Sequence, residues 1–215
     1  MTPEHEHSAN GMSPKVSYIV SAFNRPRQLR GCLASLQVQT DESMQVLVAD
    51  NATDPDMARR NQGIVRDFYD DRFRYICTDQ HLANPAWDCY WSSEWMVQHH
   101  AEGGWLCFPS DDSIYLPPFQ ETCLKAAEAN NWSLVFPEML YDRRLSGKYS
   151  ILNTRAEVCG IDKTGFLLRR DAWPGEWIGK PLAQGASNAD GELIAELRRR
   201  GIRYGKVDEI LVVHN

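Results

Sequence analysis

VSYIVSAFNRPRQLRGCLASLQVQT, Val16 to Thr40, followed after a short gap by VLVAD, Val46 to Asp50, decides how this chain folds. The run Val16 to Ser21 is short and apolar, as buried strands are. Helical periodicity begins at Pro26, a residue tolerated in a first turn. Leu29, Leu33 and Leu36 then share one face as far as about Val38. VLVAD returns to a strand pattern, so the order is that of a βαβ unit.

The same alternation continues outward. Asp54-Pro55 has the form of an N-cap followed by a first-turn proline and opens a helix to about Tyr69, after which FRYIC, Phe73 to Cys77, is a third strand. Asn84-Pro85 opens a helix closed by Gly103-Gly104. In it Trp87, Trp91 and Trp95 recur at spacing four, which favours a core-packing face over a ligand platform. WLCFP, Trp105 to Pro109, is a buried strand that runs directly into Ser110-Asp111-Asp112-Ser113. Pro117-Pro118 starts a helix with Phe119, Cys123, Leu124 and Ala127 as its apolar positions, and residues 134–140 return to strand. The pattern is turn-like from Tyr141 to Ser150 and strand-like over TGFLL, Thr164 to Leu168. Residues 171–188, rich in Gly and Pro, predict a mobile loop. A helix over 189–200 capped by Gly201 and a strand from Ile210 to Val213 end the chain. Residues 1–14 read as a flexible polar tail, and His5 and His7 within it as solvated. The remainder, 15–215, reads as a single α/β domain.

Composition narrows the function. Over 215 residues, 23 Lys and Arg stand against 29 Asp and Glu, a net charge of -6 that argues against nucleic acid or anionic lipid as partner. No apolar run reaches the length of a membrane span, so no transmembrane segment is expected, and the polar start lacks the features of a signal peptide. The six cysteines form no CxxC pair, and several lie in apolar patterns, which suits buried thiols and a cytoplasmic setting.

In an open α/β sheet, ligands gather beyond the carboxyl ends of the strands. Three such ends carry polar candidates: Ser21 to Asn24, Asp50-Asn51, and Asp111-Asp112. Neither GxGxxG nor GxxxxGK[ST] occurs, so phosphates need another means of recognition. Adjacent carboxylates at a strand end suit Mg²⁺ or Mn²⁺, and such an ion would offset the charge of a diphosphate.

These segments together resemble the family 2 glycosyltransferases of GT-A fold. VSYIVSAFNRPRQLRGCLASLQVQT with VLVADNATD is similar to their opening, and FPSDDSIYLPP to their DxD-type metal segment. TGFLLRRDAW, ADGELIAELRRRG and EILVVHN continue the likeness. The resemblance implies a nucleotide-diphospho-sugar transferase domain, Rossmann-like, with a mixed central sheet flanked by helices. Residues 15–140 would form its nucleotide-sugar and metal half and 141–215 its acceptor and catalytic-base half.

The same resemblance implies that Ala22 and Phe23 lie beside the nucleotide base, that Asp50 recognises it, that Asp111 stands near the ribose and that Asp112 binds the metal. Ser110 and Phe23 depart from the family's commoner acidic residue and Tyr. Asp190 takes the place of the catalytic base, with Glu192 as fallback. A carboxylate in a first helical turn is also explained by the helix dipole. His214 corresponds to a metal-ligand histidine of some GT-A enzymes, or is structural. Trp173 and Trp177 stack on a sugar acceptor or anchor their loop, and Arg169 and Arg170 meet a phosphate or water. The expected activity is metal-dependent transfer, with inversion, from a nucleotide-sugar donor, a UDP-sugar, to a carbohydrate or other hydroxyl acceptor. A non-catalytic nucleotide-sugar binding protein and a sugar nucleotidyltransferase are the alternatives, although the nucleotidyltransferases' Gly-rich opening loop is missing.

Overall fold

In the computed structural model, β1 (Val16–Ala22) pairs in parallel with β2 (Met44–Asp50) on one side and with β4 (Trp105–Cys107) on the other. The structure describes residues 13–78, 85–142, 148–152, 154–157, 160–178 and 189–215. The tail ascribed to residues 1–14 and the loop ascribed to 171–188 therefore fall largely outside the described residues. All seven residues of β1 are buried, because helices cover both faces of the sheet. Val16, Tyr18 and Val20 pack on one side against Leu29, Leu33 and Leu36 of α1 (Pro26–Gln37), with α2 (Pro55–Asp67) and α4 (Phe119–Asn130). Each of these fully buried leucines contributes about 1.5–3 kcal/mol. Ile19, Leu47 and Ala49 point the other way, into a second core with α3 (Pro85–His99) and α5 (Ala189–Arg199).

The sheet is mixed. β3 (Phe73–Cys77) pairs with β2 in parallel, while β8 (Leu167–Arg169) runs antiparallel to β4 and to β6 (Leu134–Tyr141). β9 (Tyr204–His214) is parallel to β6 and carries β5 (Ser113–Tyr115) on its outer edge, giving the order β3-β2-β1-β4-β8-β6-β9-β5. β7 (Ser150–Leu152) pairs with β6 off this path. The Asp54 N-cap forms as its sequence implies, its carboxylate accepting from the Asp56 amide, and Gly201 ends α5 at a φ of 74°.

Several expectations are corrected. The final strand starts at Tyr204, not Ile210, and Lys163–Gly165 is a 3-10 turn, so the strand expected at TGFLL begins only at Leu167. The Trp stripe is only in part the core face of α3, since Trp95 is half-buried against the second core. Trp91 is 45% exposed, and the helix buries Tyr90, Ser93, Met96 and Val97 instead. The Trp87 side chain lies outside the described residues.

A buried polar knot ties α3 to β1. Ser17 Oγ donates to Gln45 Oε1 at 2.8 Å and accepts from the Gly103 amide at 2.8 Å. A Cβ on Gly103 would stand 2.5 Å from the Ser17 amide nitrogen, a backbone atom that no rotamer change moves. Gly103→Ala is expected to lower stability by about 1–3 kcal/mol in urea denaturation; an unchanged midpoint and slope would show that the loop yields without cost.

Candidate functional site

Parallel pairing brings three loops together at the carboxyl edge of β1. Ala22 and Asp50 are register partners, and the Asn51 amide donates to Ala22 O at 3.0 Å. Beyond β4 the pairing continues, with the Ser21 amide donating to Pro109 O at 2.9 Å and the Asp111 amide to Ser21 O at 3.1 Å. Asn24 then turns the chain at a φ of 48°, a left-handed conformation that asparagine tolerates.

Arg25, the next residue, binds both strand-end carboxylates. Its Nη2 lies 2.5 Å from Asp111 Oδ1 and its Nη1 2.5 Å from Asp112 Oδ2. Asp111 Oδ2 accepts from the Phe23 amide at 2.9 Å, which fixes the loop carrying the partly buried Phe23 ring. Burial pushes the Asp111 carboxyl up to about 6; Arg25 and the Phe23 amide oppose the rise and Asp112 adds to it.

Asp112 Oδ1 is buried without a hydrogen-bond partner and stands 3.5 Å from His214 Nδ1. The other ring nitrogen of His214 is 3.9 Å from Asp162 Oδ2. Among the described residues no group of three His, Cys, Asp or Glu side chains is arranged to hold a metal. An oxygen without a partner beside an imidazole does fit Mg²⁺ or Mn²⁺ that completes its shell with diphosphate oxygens and water.

Asp190, in the first turn of α5, faces the same region. Its Oδ1 accepts from Tyr90 OH at 2.7 Å and its Oδ2 from the Lys163 amide at 3.0 Å. Burial first, and the Asp162 charge second, raise its carboxyl above the usual range, while Tyr90 and Lys163 pull the other way. Asp190 thus belongs to a run of groups, Asp190, Asp162, His214 and Asp112, that crosses from α5 to the end of β4.

Comparison with known proteins matches the family model described as glycosyl transferase family 2 over residues 17–179. This chain belongs to that family. Its fold is GT-A. TarS from S. aureus superposes with a TM-score of 0.69 at 14% identity, over 94% of this chain and 36% of that one. TarS 1-349 in complex with UDP-GlcNAc gives 0.68 at 14%, over 93% and 58%. The mannosyltransferase PcManGT from Pyrobaculum calidifontis, in complex with GDP-Man and Mn²⁺, gives 0.69 at 13%, over 95% and 57%. The family 2 domain thus spans only part of the length of these neighbours. No curated protein sequence matches it.

Within the family 2 domain, Phe23, Asp111, Asp112, Asp190 and His214 are brought to one end of the sheet. Ala22 is 1% exposed, so its methyl is closed to any ligand. Asp50 is buried too, its Oδ1 accepting from the Ala52 amide and Asn61 Nδ2 and its Oδ2 from Tyr75 OH at 2.7 Å. Glu192 is exposed, two residues and so roughly 200° around the helix from Asp190. The acceptor role of Trp177 is corrected: its ring is 1% exposed, packs on Tyr90 and Phe108, and donates from Nε1 to Ser93 at 2.8 Å. Trp173, half-buried, packs on Phe108 and on Trp177 itself. Arg169 pairs with Asp171 at the surface.

Sequence reasoning missed Arg25, Tyr90, Asp162 and Lys163. Arg25 was visible beside a strand end in SAFNRP. Asp162-Lys163-Thr164 carried a local signal, since Asp162 caps the 3-10 turn by accepting from the Thr164 amide and hydroxyl.

Removing Arg25 tests the carboxylate pair. Without its guanidinium the Asp111 pKa rises further, and stability held by a raised carboxyl is full below the unfolded value near 3.8 and lost as pH climbs through the folded one. Arg25→Gln is therefore expected to destabilise the metal-free domain by about 1–2 kcal/mol at pH 8 and by much less at pH 5. Equal losses at both pH values in chemical denaturation would assign the effect of Arg25 to Asp112 or to packing and not to Asp111.

Proposed function

We propose that this domain is a metal-dependent, inverting glycosyltransferase that moves a sugar from a nucleotide-diphosphate donor, a UDP-sugar, to a hydroxyl of a carbohydrate or other acceptor. The observation that carries the proposal is the placement of Asp190 opposite the Asp112–His214 pair, joined to it through Asp162. A displacement at an anomeric carbon needs a base at one end and charge neutralisation at the other. The structure of TarS with UDP-GlcNAc supports the choice of donor and that of PcManGT with Mn²⁺ the choice of metal. In this reading residues 15–140 supply most of the donor contacts and 141–215 the base, with His214 of the second half joining Asp112 at the metal.

Asp190 would accept the proton of the acceptor hydroxyl as that oxygen attacks the anomeric carbon. The bond from that carbon to the donor phosphate breaks, and its electron pair leaves with the diphosphate. Tyr90 OH and the Lys163 amide hold the carboxylate in place, and its raised pKa makes it a stronger base than an exposed aspartate. Asp112 and His214 would hold Mg²⁺ or Mn²⁺, which when bound offsets the charge of the diphosphate. Phe23 would pack on the nucleotide base and Asp50, braced by Asn61 and Tyr75, would contact its edge, with Asp111 near the ribose. The buried thiols Cys32, Cys107 and Cys123 are consistent with a reducing, cytoplasmic setting.

A panel of nucleotide sugars with Mn²⁺ or Mg²⁺, scored for binding and for slow hydrolysis, tests the proposal; no metal-dependent binding of any donor would sink it. Asp112→Asn is expected to weaken metal-dependent donor binding. Asp190→Asn is expected to cut transfer by about 10²–10⁴-fold and spare donor binding, with full activity pointing to a different base.

The pH profile gives a further check. Asp190 works ionised, so the rate falls as pH drops through its raised pKa. Asp162→Asn removes a neighbouring negative charge, lowers that pKa and moves the acid limb to lower pH. A limb that stays in place would remove Asp190 from the rate-determining ionisation.

A further inference from the structure

Lys163 is a buried cation that acts on the Asp190 carboxylate at a distance but forms no ion pair within the described residues. It is 7% exposed, its Nζ donates to Ser21 Oγ at 3.2 Å and lies 5.9 Å from the centroid of the Tyr90 ring. Among the described residues no carboxylate lies within ion-pair distance of that nitrogen. An ammonium taken out of water loses more than one hydroxyl hydrogen bond and a cation–π contact return, so buried lysines are normally paired with an anion.

Its position identifies the anion. Ser21 is the residue whose backbone binds Pro109 and Asp111, so Nζ stands at the junction of the β1 and β4 ends. The Lys163 backbone amide meanwhile holds Asp190. Lys163 thus reaches from the base, which its amide holds, to the junction of the β1 and β4 ends, along the span a sugar diphosphate would occupy for its anomeric carbon to face Asp190.

We propose that Lys163 binds the diphosphate of the donor, an inference that rests on the glycosyl-transfer function above. As the anomeric bond to the phosphate oxygen breaks, the electron pair stays on that oxygen and the diphosphate gains one negative charge. Lys163 keeps its protons and stabilises that charge from a preorganised position. The acceptor's proton goes to Asp190. Ser21 positions the ammonium, and the Tyr90 ring shields it from water.

The test compares wild type with Lys163→Met, using UDP and GDP with Mn²⁺ as probes and uridine and guanosine as phosphate-free controls. Calorimetry is expected to show about a 10–100-fold loss of affinity for the diphosphate that wild type binds, with nucleoside affinity unchanged. Without ligand the variant is expected to melt at the wild-type temperature or above it, because it no longer buries an unpaired charge. Wild-type affinity for the diphosphate in Lys163→Met, or a lower melting temperature with equal loss of diphosphate and nucleoside, would overturn the inference in favour of a structural lysine. Should wild type bind neither UDP nor GDP, the glycosyl-transfer function falls and this inference with it. Acetic anhydride labelling of the unmutated protein, read by mass spectrometry, gives an answer independent of variant folding. UDP or GDP with Mn²⁺ at saturation should slow acetylation of Lys163 at least about fivefold and the nucleosides should not; equal rates would contradict the contact.

Discussion

The parallel pairing of β1 with the chain from Trp105 to Asp111 is the constraint on which the site depends. It is set by the core register Val16 to Trp105 and extended past β4 by the bonds joining Ser21 to Pro109 and Asp111. Because β2 is parallel to β1 as well, the carboxyl ends of the central strands emerge together. Antiparallel pairing at either place would send one of these ends to the opposite edge of the sheet. The antiparallel β8 and the long β9 bring the second half of the chain back to this edge, so that Asp162, Lys163 and His214 meet residues from the first half.

What gathers there is charge that the protein interior would otherwise exclude. Asp111, Asp112 and Lys163 are buried, and Arg25 links the first two. Burying such groups weakens a fold unless each finds a partner. The partners are supplied partly from within, by Arg25, the Phe23 amide, Tyr90 and Ser21, and in the proposed complex partly by a diphosphate and a divalent ion. The net charge of -6 therefore does not exclude an anionic ligand: in the proposed complex the positive charge is local, in Lys163, Arg25 and a divalent ion.

The first half of the chain was legible because its information is local. The spacing of Leu29, Leu33 and Leu36, the Asp54-Pro55 cap and the apolar runs of β1 and β2 each declare an element without knowledge of its partner. The strand ends followed from those elements, and with them Asp50, Asp111 and Asp112. What escaped depended on distant partners. β5 is three residues held by β9, and β9 begins six residues early because Tyr204 to Lys206 pair with β6, although Tyr204 is exposed and the next two residues only half-buried. The Trp177 ring resembled a sugar platform in sequence; its burial comes from Tyr90, Phe108 and Ser93, which lie far away in the chain. Likewise Asp190 is held by Tyr90 one hundred positions away, a contact that no periodicity encodes.

In the proposed complex one edge of the sheet holds a metal and a diphosphate between Asp190 and the Asp112–His214 pair. Anomalous diffraction at the manganese edge, from crystals grown with Mn²⁺ and the nucleoside diphosphate that binds, locates both. A manganese peak in contact with Asp112 and His214, with the phosphates lying between it and Lys163, is the outcome expected. A bound nucleotide whose manganese and phosphates lie away from these residues would contradict the account.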